Sequence, residues 1–145
     1  MMRSGLIIVS ACVALVFGVV GCNSSGRQAS KRELAYRLVQ EANAALEKHQ
    51  YQEARAKFSQ AIDTGGLNVD IYINATIQRA ICAATLGDFE AAYADLDRME
   101  QGAPNLDVVY AARSFVLAKQ GKKKEAKAVW AKARRFNRKV KPFGD

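Results

Sequence analysis

One pattern occurs three times in phase along this chain. Ala54-x3-Phe58-x2-Ala61 returns as Ala92-x3-Leu96-x2-Met99 and again as Ala126-x3-Trp130-x2-Ala133. The first two copies start 38 residues apart and the last two 34. Steps of four and three residues put all three side chains of each copy on one helical face. The first, small residue lets a partner helix approach closely. The large one fills the gap toward the neighbouring unit, and the third site admits the next helix. A period in this range predicts stacked helical units, each unable to bury its apolar face alone. The four extra residues of the longer interval fall in Thr64–Val69, a Gly65-Gly66 loop where insertion costs little.

The segments between these copies are helical too. Breakers fall at His49-Gln50, Thr64-Gly65-Gly66, Gly87, Gly102-Ala103-Pro104 and Gln120-Gly121. They separate apolar-periodic stretches too long for strands. In the first stretch Leu34, Leu38, Ala42 and Ala45 make the stripe. Six helices are predicted, over 32–48, 51–63, 69–86, 88–101, 106–119 and 122–138. With 145 residues, 50% of them hydrophobic and 25% charged, there is room for one ordinary domain. The fold class read from this is all-α, a helical-hairpin solenoid of about three repeats.

The second helix of each unit resembles that of the tetratricopeptide repeat (TPR). Gly87 and Gly121 stand where that family turns between helices, and Pro104 where it closes a repeat. The resemblance gives a TPR-like domain over 32–140, in units 35–68, 73–106 and 107–140, with a tail over 141–145. The first helices depart from the family, whose Trp, Leu, Gly, Tyr series is replaced by Leu38, Glu41, Ala42, Ala45 in unit one. Unit two has Thr76, Arg79, Ala80, Ala83, and unit three has Tyr110, Arg113, Ser114, Leu117. Small residues persist at the third site of each series.

The N-terminus reads as an address. Arg3 precedes an uncharged, mostly apolar run from Leu6 to Val20, and Gly21-Cys22 closes it. At 15 residues the run falls short of the roughly 20 that span a bilayer, and its layout is that of a secretory signal. Val19-Val20-Gly21-Cys22 resembles the lipobox of bacterial lipoproteins. That implies a signal peptide over 1–21, cleavage between Gly21 and Cys22, and lipid on the Cys22 thiol and its freed amine. Two or three acyl chains hold a protein on a membrane where one does so marginally. A plain secretory peptide and an uncleaved anchor are the other readings of the same run. Residues 22–31 then form a polar tether, holding the domain roughly 15 Å from its anchor at about 5–6 Å × √n.

Enzyme chemistry finds little to work with. There is one His, and there is no phosphate loop, nucleophile elbow or zinc-spaced Cys pair. Asp88-x-Glu90 and Asp95-x-Asp97 are carboxylate pairs at i,i+2, which point to different helical faces, so a solvated acidic face is expected. Cys82, mid-helix among Ile81, Ala83 and Ala84, reads as a buried structural thiol. The reading is a binding protein, with no catalytic residue, cofactor or metal.

Two surfaces are candidates for binding. TPR stacks line a concave face with their first helices, and the resemblance places Tyr36, Val39 and Asn43 there in unit one. Unit two contributes Asn74, Ile77 and Ile81, and unit three Phe115. Ile81 and Phe115 read equally well as core. Such a groove would suit an extended or helical peptide with apolar anchors. The second surface is basic. The net charge of +8 divides into +9 over 119–145 and −1 over the rest. Lys122, Lys123, Lys124, Lys127, Arg134, Arg135 and Arg138 share the last helix. A solenoid's end needs a polar cap, but a cap needs no single sign of charge. The expected function is a lipid-anchored adaptor or scaffold of the bacterial cell envelope, on the extracytoplasmic side, holding a protein partner in the groove. The alternative is an organiser whose basic helix binds anionic membrane or cell-wall surfaces. Nucleic acid is not an expected partner outside the cytoplasm.

Overall fold

The computed structural model describes residues 24–144, and Gly21 and Cys22 lie outside them. Six helices follow one another, with no strand among the described residues. They are α1 (Ser24–Glu47), α2 (Tyr51–Asp63), α3 (Val69–Thr85), α4 (Phe89–Gly102), α5 (Leu106–Lys119) and α6 (Lys123–Phe136). The helices pair as hairpins α1/α2, α3/α4 and α5/α6, with α2 packed on α3, and α4 and α3 on α5. The chain is therefore an all-α stack of three helical hairpins. The expected helices match except at the start, where Ser24–Ser30 are helical and not a flexible tether. From Gly26 to Leu34 this extension is exposed, and the buried stripe begins at Ala35 and continues through Leu38, Ala42 and Ala45.

The repeated triplets sit where close packing requires them. Ala54, Phe58 and Ala61 are at most 1% exposed, as are Ala92 and Leu96, while Met99 is 4% exposed. Ala126 and Ala133 are buried and Trp130 half-buried. The core is a succession of three clusters. Ala42, Ala45, Ala54, Phe58, Ala75 and Cys82 join α1, α2 and α3. Ile73, Ile77, Ala80, Leu96, Val109 and Val116 join α3, α4 and α5. Tyr110, Ala111 and Ala133 join α5 and α6. The central helix α3 serves two of them and carries nine buried residues.

All three hairpins turn in the same way. The residues after α1, α3 and α5 that adopt left-handed φ are His49 (57°), Gly87 (85°) and Gly121 (81°). In each case the next residue donates its N–H back five positions, Gln50 to Ala45, Asp88 to Ala83 and Lys122 to Leu117, each at 2.9 Å. This is the Schellman closure of a helix end, which favours Gly because a Cβ opposes the left-handed conformation. The loop after α2 is tighter than its glycines suggest. A Cβ on Gly66 would lie 2.6 Å from the Lys31 carbonyl oxygen, so this loop rests on the backbone of α1.

Three of the departures from the TPR-like pattern in the first helices share one structural role. Glu41, Arg79 and Arg113 occupy the site where that family has Leu, and each forms an ion pair across a helix–helix contact. Glu41 meets Lys57. Arg79 grips Asp95 with two bonds, Nε to Oδ2 at 2.8 Å and Nη2 to Oδ1 at 2.7 Å. In unit three the residue matching Lys57 and Asp95 is Val129, and Arg113 turns instead to Asp97 and Glu100 on α4. At the small site, Ala42 and Ala80 are fully buried. Ser114 donates to the Ala126 carbonyl at 2.8 Å, tying α5 to α6.

Candidate functional site

The residues expected to share one groove divide among a cleft, the core and a C-terminal cavity, with Tyr36 in none of the three. Val39 and Asn43 of α1 meet Asn74 of α3 in a cleft of about 110 Å³, whose lining is completed by Phe58, Ile71, Ala75 and Gln78. Val39 is half-buried, and the two asparagine amides are exposed. Each amide offers donors and an acceptor beside an apolar floor of Phe58 and Ala75. Tyr36 is half-buried on α1, outside the set that lines this cleft. Phe58, Ile71, Ala75 and Gln78 escaped the sequence reading. Phe58 and Ala75 belong to the core and also line the cleft.

Ile77 and Ile81 do not line a groove. They are 1% and 7% exposed, in the cluster that holds Val109, Ala112 and Val116 of α5. Because α5 packs directly on α3, the stripe expected to face a partner faces the next hairpin. Burying an Ile fully contributes about 1.5–3 kcal/mol, so these positions serve stability.

Phe115 faces the chain's own C-terminus. Together with Ala111, Ser114, Ala118, Trp130, Pro142 and Phe143 it lines a cavity of about 270 Å³ at the open end of the stack. Phe143 packs against two core clusters. A Cβ at Gly144 would lie 2.7 Å from the Phe115 ring. The Lys119 ammonium stands 5.3 Å from that ring's centre.

The seven basic residues singled out in the last helix and just beyond it are all exposed. Ala131, Arg134, Arg135 and Arg138 form an open cleft of about 440 Å³. Lys132 differs from its neighbours. It lies 3.9 Å from a Glu100 carboxylate oxygen and 3.9 Å from the Tyr110 ring centre.

Each carboxylate pair has one member held within the fold, while Glu90 and Asp97 are exposed as expected. Asp95, 7% exposed, is not solvated but held by Arg79. Asp88 accepts from the Ala91 N–H at the start of α4 and pairs with Arg55 of α2 at 2.7 Å. Those two contacts, the backbone one foremost, hold its carboxyl below the usual range. Burial pushes the Cys82 thiol up to about 11, which leaves it protonated and unreactive at neutral pH. Among the described residues no group of three His, Cys, Asp or Glu side chains converges as metal ligands would. No described helix is long and apolar enough to cross a membrane. The chain matches no family model, no curated protein and no solved structure.

Proposed function

We propose that this chain is a lipid-anchored adaptor of the bacterial cell envelope that holds a partner protein in the cleft between its first and second hairpins. The observation that carries the reading is the convergence of Val39, Asn43 and Asn74 on one opening between α1 and α3. An apolar floor flanked by two exposed amides suits an extended peptide. One aliphatic side chain enters the cleft and the peptide backbone pairs with the amides. The cleft brings together no acid, base or nucleophile, which favours binding over catalysis. The lipobox-like Val19-Val20-Gly21-Cys22 supports attachment through Cys22, with the domain facing the extracytoplasmic side.

The test places a photo-crosslinking residue at Asn74 and, as a control, at exposed Gln101 on α4. The adaptor reading expects one partner to be trapped from Asn74 and not from Gln101, with capture lost in Val39→Asp. Equal trapping from both positions, or capture indifferent to Val39→Asp, rejects the cleft. Acyl labelling of the wild type and of Cys22→Ser tests the anchor separately, and label that survives the substitution rejects it.

A further inference from the structure

The cations of the last helix contradict what helix stability asks for. A helix N-terminus carries a partial positive charge, so acids stabilise it and bases do not. The first turns of α2, α3 and α4 hold Glu53, Asp70 and Glu90, and side chains of Asn68 and Asp88 cap α3 and α4. At the start of α6 the first-turn acid, Glu125, is outnumbered by Lys122, Lys123 and Lys124, with Lys122 at the cap position and no side-chain bond there. Arg134 and Arg135 in the last turn do suit the dipole. The lysines at the opposite end do not, and self-repulsion along the helix adds to their cost.

Nor are these charges spent inside the fold. The one α6 cation drawn to a carboxylate among the described residues is Lys132. The buried face of α6 is Ala126 and Ala133, packed on α5, and on its exposed surface the bases outnumber the one acid, Glu125. At the C-terminal end Arg134 and Arg135 of the last turn and Arg138 just beyond it line an open cleft with the small side chain of Ala131. Guanidinium groups so placed match phosphate oxygens in pairs. Phe136, 56% exposed, sits among them and stacks one face on Tyr110 at 5.6 Å.

We infer that the outward face of α6 is a docking surface for an anionic phospholipid bilayer, with Arg134, Arg135 and Arg138 engaging headgroup phosphates and Phe136 entering the interface beside them. The argument for a bilayer is extent. Cations run the length of the helix and on to Lys139 and Lys141, which suits a plane of repeating phosphates more than a single anion. An exposed aromatic ring flanked by bases is the arrangement that favours the boundary between headgroups and chains. This surface belongs to the third hairpin and does not depend on the α1–α3 cleft.

The experiment uses the full-length chain reconstituted in vesicles rich in phosphatidylglycerol or made of phosphatidylcholine alone. Labelling of individual lysines by an amine reagent is followed by mass spectrometry. Lys122, Lys123, Lys124 and Lys127 should label several-fold more slowly on anionic vesicles than on neutral ones. Exposed Lys31 of α1 and Lys48 just after it should not change, and added salt should abolish the difference. Arg134→Ser/Arg135→Ser/Arg138→Ser, with its melting temperature checked against wild type, should return labelling on anionic vesicles to the rate on neutral ones, since each cation near such a surface contributes about a factor of five in affinity. Equal labelling on both vesicles overturns the proposal, as does slowing of Lys31 and Lys48 to the same degree. Slowing by inorganic phosphate without vesicles, or by an acidic soluble protein alone, would replace the bilayer with that ligand.

Discussion

His49 shows how one residue reports on its turn. It stands 38 residues before Gly87 and 72 before Gly121, and it shares their left-handed conformation without being Gly. A Cβ in that conformation costs about 1–2 kcal/mol. The Nδ1 contact to the Tyr51 hydroxyl at 3.1 Å is exposed and returns little of that cost. His49→Gly should therefore raise stability by about 0.5–1 kcal/mol despite the freer unfolded chain. Urea melts would read this directly, and a loss of stability would mean that the His49–Tyr51 contact dominates. Ala92 tests the repeat pattern from the other side. It is fully buried at a helix–helix contact, whereas Ala94 is exposed. Ala92→Leu should cost about 1–3 kcal/mol by overpacking, and Ala94→Leu should be nearly neutral. The reverse order in a melting series would place the repeat on the wrong face.

At the scale of elements, five of the six helices were legible because each lies between breakers that act locally, such as the glycines of the αL turns. The start of α1 was not. Ser24, Ser25 and Gly26 are poor helix formers, but extending an existing helix is cheap where nucleation is not. The turns anchored by Ala35 and Leu38 carry the helix back over them. The groove was half legible for a different reason. The resemblance to TPR stacks puts Val39, Asn43, Ile77 and Ile81 on inward faces. Whether an inward face is open or covered depends on which helix crosses it, and α5 covers Ile77 and Ile81. The polar ties between elements also escaped local reading, because Arg55–Asp88 joins residues 33 apart in sequence. That tie carries a pH dependence. The Asp88 carboxyl is held below its unfolded value, so the stability it contributes is complete above the ordinary Asp range. It is lost as pH falls through that range and below, because there the unfolded chain is the stronger proton binder. Asp88→Asn should flatten the acid limb of a stability–pH curve and lower stability at neutral pH. A variant as acid-sensitive as the wild type would remove Asp88 from the account.

For the whole molecule, the consequence of stacking is that each hairpin answers mainly to its neighbours, so damage at one end should stay there. The C-terminal tail makes this testable. Phe143 packs against the clusters that hold α5 and α6, and it shares the cavity at the open end with Phe115 and Trp130. A fully buried Phe contributes about 1.5–3 kcal/mol, and a half-buried one correspondingly less. Phe143→Ala should therefore lower global stability modestly while loosening the last hairpin selectively. Trp130 is the chain's one tryptophan and lines the same cavity, so its emission should shift to the red as water enters. In hydrogen exchange, amides of α5 and α6 should lose protection, while those of α1 and α2, two hairpin interfaces away, should hardly change. Unchanged Trp130 emission would mean that the tail does not shield the end of the stack. Equal loss of protection in α1 and α2 would mean that the three clusters unfold as one core, and the solenoid description of the energetics would fail even though the helices are arranged as one.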